Sequence, residues 1–162
     1  PIPSKGFQHI KFLLKTFTPL TDLLAKYMRP SPEDLEDRTF FEQSTTLMLY
    51  TIAVAISQIA NNDKIGQFSA SHIVDGEIGF GIKDGPAVTI RAKNGRLVTI
   101  KKRCENPRAE MEFASMDLAR DLFDGKINAV ACIGMGAITM KGMISMIDNM
   151  NRLLDRVALY LA

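Results

Sequence analysis

The sequence has few of the residues that build metal sites or disulfide frameworks. Its only two cysteines, Cys104 and Cys132, lie far apart and neither belongs to a CxxC pair. This spacing predicts neither a zinc site nor a disulfide framework. The two histidines, His9 and His72, are interpreted as ordinary surface or core residues. We therefore predict no metal and no cofactor, and the unpaired cysteines favour a reducing, cytoplasmic location.

A strong charge imbalance and a long apolar run are also lacking. The net charge is only +2, which gives no strong electrostatic field for nucleic acid, and no nucleic-acid partner is predicted. Residues 43–62 carry no charge, but their solid apolar part extends only from Leu47 to Ile56 and is interrupted by Thr51. A membrane span needs about 20 mostly apolar residues, so this stretch predicts a buried helix instead.

What remains is the composition of a globular domain that is unusually rich in methionine. Hydrophobic residues make up 46% of the 162 residues and charged residues 23%, which suits one domain with a helical extension. Nine methionines stand against no tryptophan. Methionine is flexible and polarizable, so these residues either fill gaps in a core or line an adaptable binding surface.

The first part of the chain predicts amphipathic helices. Apolar residues recur at helical spacing over residues 6–29, with Lys11, Lys15 and Lys26 off that stripe. Pro19 should end or kink the first helix, and the sequence RPSPEDLEDRTF predicts a joint after it. The apolar stripe either packs on the domain or rests on an anionic membrane surface or a partner enzyme.

The second part predicts a sheet followed by helices. Alternating apolar and polar residues after Phe68 indicate four strands in a meander, with a tight hairpin at Asn94-Gly95. A short helix is predicted at about 116–124, closed by Gly125. A fifth strand fits 136–141, and an amphipathic helix runs from about 143 to 161, with methionine in its early turns and leucine and valine in its later turns.

Two groups of residues around the fifth strand form a loose, largely apolar motif: Leu122, Phe123, Gly125, Lys126, Ile127 and Asn128 at the helix exit, and Gly136, Ile138, Met140, Lys141 and Gly142 around the strand. With this motif, the segment resembles the sterol carrier proteins, also called nonspecific lipid-transfer proteins. The resemblance covers roughly residues 70–162. Ala129 stands where proline is often found and Met135 where glutamine is common. The change at Met135 favours a wholly apolar ligand surface.

The resemblance implies an α+β fold in which helices cover one face of a five-stranded, mostly antiparallel sheet, with an apolar cavity between them. Residues 1–69 would form an extra N-terminal helical extension packed on the domain, and residues 70–162 the lipid-binding domain. The predicted lipid-binding residues are Phe80, Ile90, Ile100, Met111, Phe113, Met135, Ile138, Met140, Met143, Met146, Ile147 and Met150. A well-packed core without a cavity would give the same alternation of apolar residues.

Three functions follow from these patterns. The first is noncatalytic binding or transfer of an apolar lipid, such as a fatty acid, acyl-CoA, sterol or isoprenoid. The second is an accessory or dimerising module that presents a lipid to a partner enzyme. The third is a lipid-modifying enzyme, which would need converging polar groups on the apolar face. Glu110 and Glu112 share one strand face, but Arg91 and Arg103 nearby favour charge pairing over acid–base catalysis.

Overall fold

The computed structural model describes residues 10–127 and 129–161. It contains two compact units, Pro1–Leu47 and Met48–Ala162. The boundary lies earlier than the predicted one, because residues 48–69 belong to the unit that contains the sheet. That the extension packs on the sheet domain stays a prediction. Within the described residues, no helix has the length and apolarity needed to cross a membrane.

The first unit is helical. Helix α1 (Ile10–Phe12) leads through a π-helical turn (Leu13–Phe17) into α2 (Thr18–Met28). Pro19 lies in the first turn of α2, where its missing N–H costs little, and the wider π turn before it is the predicted irregularity.

A joint with a 3₁₀ turn (Asp34–Glu36) follows, and α3 (Arg38–Asn62) begins where the Asp37 carboxylate accepts hydrogen bonds from Thr39 N (2.8 Å) and Phe40 N. The end of α2 packs on the start of α3. The rings of Tyr27 and Phe40 are 4.7 Å apart, and the hydroxyl of Ser44 donates to the carbonyl of Tyr27. The Lys26 ammonium pairs with Asp34 at 2.9 Å.

The sheet unit continues with α4 (Lys64–Ser71), β1 (Gly76–Ile82), β2 (Ala87–Lys93), β3 (Arg96–Ile100) and β4 (Ala109–Phe113). Helices α5 (Met116–Phe123) and α6 (Ala129–Gly134), strand β5 (Ile138–Gly142) and helix α7 (Ile144–Leu161) complete it. The predicted short helix, fifth strand and final helix are thus confirmed within two residues at each end. Helix α6 was not predicted, because its six residues are too few to show a helical period.

The strand order is β3-β2-β1-β4-β5, and the sheet is mixed. Strands β1–β2, β2–β3 and β4–β5 pair antiparallel, but β1 and β4 pair in parallel, with Phe80 opposite Met111. The predicted four-strand meander is therefore wrong at its last step, and only β1 to β3 form one. The prediction of a mostly antiparallel sheet is confirmed.

Two glycines set the geometry at strand ends. Asn94 and Gly95 both have positive φ, 52° and 71°, as a two-residue hairpin turn requires. At Gly142, where β5 ends, φ is +91° and an added Cβ would lie 2.2 Å from the carbonyl oxygen of Arg108. Only glycine allows β5 to approach β4 this closely before α7 begins.

Candidate lipid site

The apolar face of the sheet is defined by strand register, because directly opposed residues share a face. Its members are Ile78, Phe80 and Ile82 of β1, Val88, Ile90 and Ala92 of β2, Leu97 and Thr99 of β3, Ala109, Met111 and Phe113 of β4, and Ile138 and Met140 of β5. Most of these side chains are buried in one hydrophobic cluster together with residues of α3 and α7. This face is the surface on which a lipid site was predicted.

Helix α7 covers the apolar face with its methionine stripe. Met146, Met150, Leu153 and Val157 are buried, and Met143 and Ile147 are partly buried against the same cluster. Within the sheet, Met111 lies directly opposite Met140. Five of the nine methionines therefore lie in this region: Met111 in β4, Met140 in β5, Met143 directly before α7, and Met146 and Met150 in its first turns. The adaptable side chains are concentrated on one part of the apolar face.

A row of aromatic rings extends this region toward α5. Phe80 and Phe113 meet edge to face at 5.7 Å, and Phe113 and Phe123 meet in the same way at 5.5 Å. Helix α5 is capped by Ser115, whose hydroxyl accepts a hydrogen bond from Leu118 N, and Gly125, two residues after the helix, has φ +69°. The cap and the glycine fix the position of Phe123 on the rim of the apolar face.

Ten of the twelve predicted lipid-binding residues lie on the apolar face or on the part of α7 that packs against it, or directly before that helix. Phe80, Ile90, Met111, Phe113, Ile138, Met146 and Met150 are buried, and Met140, Met143 and Ile147 are partly buried. These side chains form a continuous cluster, and the cavity between sheet and helix stays a prediction.

Two of the predicted residues lie elsewhere. Ile100 opposes Thr89 and so lies on the opposite face of the sheet. The reason is the hairpin register: Lys93 pairs with Arg96, which places Leu97 and Thr99 on the apolar face and Val98 and Ile100 on the other. Met135 lies between α6 and β5, and 75% of its side chain is exposed. It does not line the buried face.

The sequence predicted a buried helix over residues 43–62 but did not indicate that α3 packs on the apolar face. Leu49, Ile52, Ala53 and Ile56 of this helix are core residues. The amide of Asn61 donates to Leu97 O (2.8 Å) and accepts from Leu97 N (3.0 Å), as a neighbouring strand would. The hydroxyl of Thr99 donates to Ala53 O at 2.7 Å and lies 2.6 Å from the Ser57 hydroxyl. These bonds satisfy the one polar side chain on the apolar face of β3.

The far end of α7 is held by an ionic cluster at the start of α4. The Asp63 carboxylate caps α4 by accepting from Gly66 N, and it pairs with Arg156 at 3.0 Å. The Tyr160 hydroxyl donates to the same carboxylate at 2.9 Å. The Arg156 guanidinium, followed by the Gly66 amide and the Tyr160 hydroxyl, holds the pKa of Asp63 well below its usual range. The carboxylate is therefore ionised at neutral pH and fixes the second half of the helix.

The opposite face of the sheet is crossed by the segment that joins β3 to β4. Arg103 pairs with Glu112 at 2.9 Å and donates to Ile82 O, while Arg91 pairs with Glu77 at 2.8 Å. Charge pairing is thus confirmed for Glu112. A cavity of about 10 Å³ lies beside Gly79 and Gly81 there, which is enough for a single water molecule.

Cys104 and the described histidine have ordinary structural roles. Burial first, and then the neighbouring Glu77 carboxylate at 3.1 Å, raise the pKa of the Cys104 thiol, which disfavours a reactive thiolate. His72 Nδ1 lies 2.8 Å from Phe68 O at the end of α4, and His9 lies outside the described residues. Within the described residues, no group of three or more His, Cys, Asp or Glu side chains could hold a metal ion.

No family model matches the sequence, and no curated protein matches it either. Solved structures do match the fold. The sterol carrier protein domain 2 of Helicoverpa armigera aligns with a TM-score of 0.52 at 20% identity, over 68% of this chain and 88% of that chain. The chain has the sterol carrier protein 2 fold.

A second structure agrees with this assignment. It is described as the UbiJ-SCP2 ubiquinone synthesis protein, and it aligns with a TM-score of 0.52 at 12% identity over 68% of this chain and 96% of that chain. The sterol carrier protein 2 fold confirms the predicted resemblance in its architecture: an α+β domain with a five-stranded sheet.

Proposed function

We propose that this protein binds and transfers an apolar lipid without transforming it, on the apolar face beneath α7. The observation that supports this most directly is the sterol carrier protein 2 fold combined with a methionine-rich closure of that face. The lipid classes that suit such a surface are fatty acids, acyl-CoA esters, sterols and isoprenoids. Burial of apolar ligand surface contributes about 25 cal/mol per Å², less the cost of ordering the ligand.

Admission of a lipid requires the first turns of α7 to move. Met146 and Met150 are buried against the sheet, whereas the Asp63 cluster fixes the helix near Arg156 and Tyr160. The first half therefore has side chains that repack at low cost, and the second half has a fixed anchor. We propose that the lipid enters beneath the first half of α7, while the second half keeps its place.

The absence of catalysis is part of the proposal and rests on the chemistry of the described residues. The hydroxyl of Thr99 on the apolar face already donates to Ala53 O and contacts Ser57. Arg120, which is buried on α5, pairs with Asp124, the residue after that helix, at 2.9 Å. Groups satisfied in this way stabilise the fold, and among the described residues of the apolar face no acid and base converge.

Two isoleucines give a matched test. Ile147 is partly buried against the apolar face, and Ile100 is partly buried on the opposite face. In displacement of a fluorescent fatty acid, Ile147→Asn should weaken binding at least tenfold, about 1.4 kcal/mol, because it puts an amide against an apolar chain. Ile100→Asn should leave binding unchanged. Equal loss in both variants, or none in either, would contradict the proposed location.

The chemistry of the ligand has its own measurement. Native mass spectrometry of the purified protein should reveal a co-purified lipid. Fatty acids and neutral apolar probes of equal length should bind within about tenfold of each other, since the apolar face offers no charged anchor among its described residues. A preference of about a thousandfold for a carboxylate would reveal an anchor and overturn the wholly apolar site.

A second function is presentation of the lipid to a partner enzyme. One of the matching structures is described as a ubiquinone synthesis protein, and that description favours this alternative. The two functions differ in one measurement. A carrier accelerates transfer of a fluorescent lipid from donor to acceptor vesicles with no other protein present, whereas a presenting module binds the lipid and leaves that rate unchanged.

A further inference from the structure

The N-terminal helical segment, residues 10–28, exposes a row of large apolar side chains. These are Ile10, Phe12, Leu14, Phe17, Leu20, Leu23 and Leu24, each between 44% and 62% exposed. Neither α1 nor α2 contains a buried residue. Scattered exposed leucines need no explanation, but seven large apolar side chains exposed within residues 10–24 mark an interaction surface.

The row follows one side of α2 and begins at Phe17, the residue before that helix. Leu20 follows Phe17 by three residues, and Leu23 and Leu24 follow Leu20 by three and four, so these four share one side. Thr18, Asp22 and Lys26 fall on the other side. At 1.5 Å per residue the segment is about 28 Å long. It is an extended amphipathic helix, and within the described residues no helix is long and apolar enough to cross a bilayer.

The charges of the segment indicate what covers the row. Residues 10–29 contain four cations, Lys11, Lys15, Lys26 and Arg29, and one carboxylate, Asp22. Lys26 also pairs with Asp34. A second copy of the chain would bring lysines against lysines, whereas an anionic bilayer surface attracts them and accepts the leucines and phenylalanines at the boundary of its acyl chains.

We propose that residues 10–28 lie in the plane of an anionic lipid bilayer, with the leucine row inserted and the lysines among the headgroups. This inference is independent of lipid binding beneath α7, because it rests on the exposed helix and its charge alone. It assigns residues 10–28 the role of holding the protein at a membrane surface.

Co-sedimentation of the full chain with vesicles tests the proposal. The protein should pellet with vesicles of phosphatidylcholine and phosphatidylglycerol, less so with phosphatidylcholine alone, and less as salt is raised. Leu20→Ser combined with Leu24→Ser should lower the partition coefficient at least tenfold. Lys11→Gln combined with Lys15→Gln should lower it about thirtyfold for the anionic vesicles.

The matched control removes two exposed apolar side chains from the other unit. Ile65 and Leu159 are as exposed as the leucines of α2. Ile65→Ser combined with Leu159→Ser should therefore pellet as the unaltered protein does. Equal loss in this control, or binding that ignores the lipid charge, would overturn the proposal. So would dimers in sedimentation velocity that the leucine variant dissociates, since the row would then join two copies.

The lack of tryptophan supplies a second readout that does not depend on loss of binding. Phe17→Trp and Phe68→Trp each create a single-tryptophan protein, the first in the proposed membrane segment and the second on an exposed site of α4. Anionic vesicles should shift the emission of the first to shorter wavelength and leave the second unchanged. An unshifted Phe17→Trp protein that still pellets would show that another surface binds the bilayer.

Discussion

Helices α2 and α7 are both amphipathic, yet their apolar stripes have opposite environments. In α7, Met146, Met150 and Leu153 are buried against the sheet. In α2, Leu20, Leu23 and Leu24 are at least half exposed. The sequence pattern of the two helices is alike, so amphipathicity shows that one side of a helix avoids water but leaves open what covers it.

The two apolar stripes, one buried against the sheet and one exposed, also differ in their side chains. The first turns of α7 present methionines, which adapt to a changing neighbour, and α2 presents leucines, which adapt less. Substitutions of one kind placed in both helices should therefore have very different effects on the free energy of unfolding.

The largest effect is expected for Met146→Lys. The side chain of Met146 is 0% exposed, so its replacement buries an ammonium without a partner. The free energy of unfolding should fall by about 4 kcal/mol or more, as measured by urea denaturation. A loss below about 1 kcal/mol would mean that the lysine reaches water and that α7 lies loosely on the sheet.

A smaller effect is expected at the anchored end of α7 and depends on pH. Because folding lowers the pKa of Asp63, this carboxylate stabilises the protein above its unfolded pKa, and that stabilisation is lost as the pH falls through the folded value. Asp63→Asn should melt below the unaltered protein at pH 7, with the gap closing as the pH falls below about 4.

The control for Asp63 is Asp148, which pairs with Arg152 at 3.1 Å on the exposed side of α7. Asp148→Asn should barely change the melting temperature at any pH, because exposed pairs contribute little. Identical pH profiles for the two variants would contradict the anchoring role of Asp63.

A still smaller effect on stability is expected for Met146→Leu, which nearly conserves volume. The free energy of unfolding should change by less than about 1.5 kcal/mol. The range of lipid chain lengths that raise the melting temperature should narrow, since leucine adapts less than methionine. If the rise in melting temperature with each chain length is unchanged, this side of α7 only packs in the core and does not contact the lipid.

The smallest effect on stability is expected for Leu23→Lys in α2. Its side chain is 55% exposed, so the free energy of unfolding should change by about 0.5 kcal/mol or less in urea denaturation without vesicles. Like Met146→Lys, this variant places a lysine on the apolar stripe of an amphipathic helix, here α2 instead of α7. A large loss here would show that a protein surface covers α2.

Much of the fold could be predicted because its signals are local. The Asn94-Gly95 turn, the Gly125 helix end and the heptad-like methionines of α7 each act within a few residues, and each was placed correctly. The parallel pairing of β1 with β4 has no such signal. It depends on the crossing segment, in which Arg103 reaches Ile82 O and Arg108 reaches Asp75 O.

The correct face of Ile100 could have been predicted from the sequence. A two-residue turn at Asn94-Gly95 makes Lys93 and Arg96 partners, and alternation from Arg96 then places Leu97 inside and Ile100 outside. Hydropathy alone favours Ile100 over Thr99. In the structure, the hydroxyl of Thr99 donates a hydrogen bond to the carbonyl of Ala53, which allows this polar side chain to lie on the apolar face.

The parallel join of β1 to β4 also sets an order of assembly. The meander of β1 to β3 closes through tight turns, whereas the pairing of Phe80 with Met111 spans both hairpin turns and the crossing segment. Contacts between residues distant in sequence form only at the entropic cost of closing that long loop, so β4, β5 and α7 are expected to dock late. Until they do, the β1 edge of the meander is an open edge strand, and this stage of folding is where the chain is most exposed to aggregation.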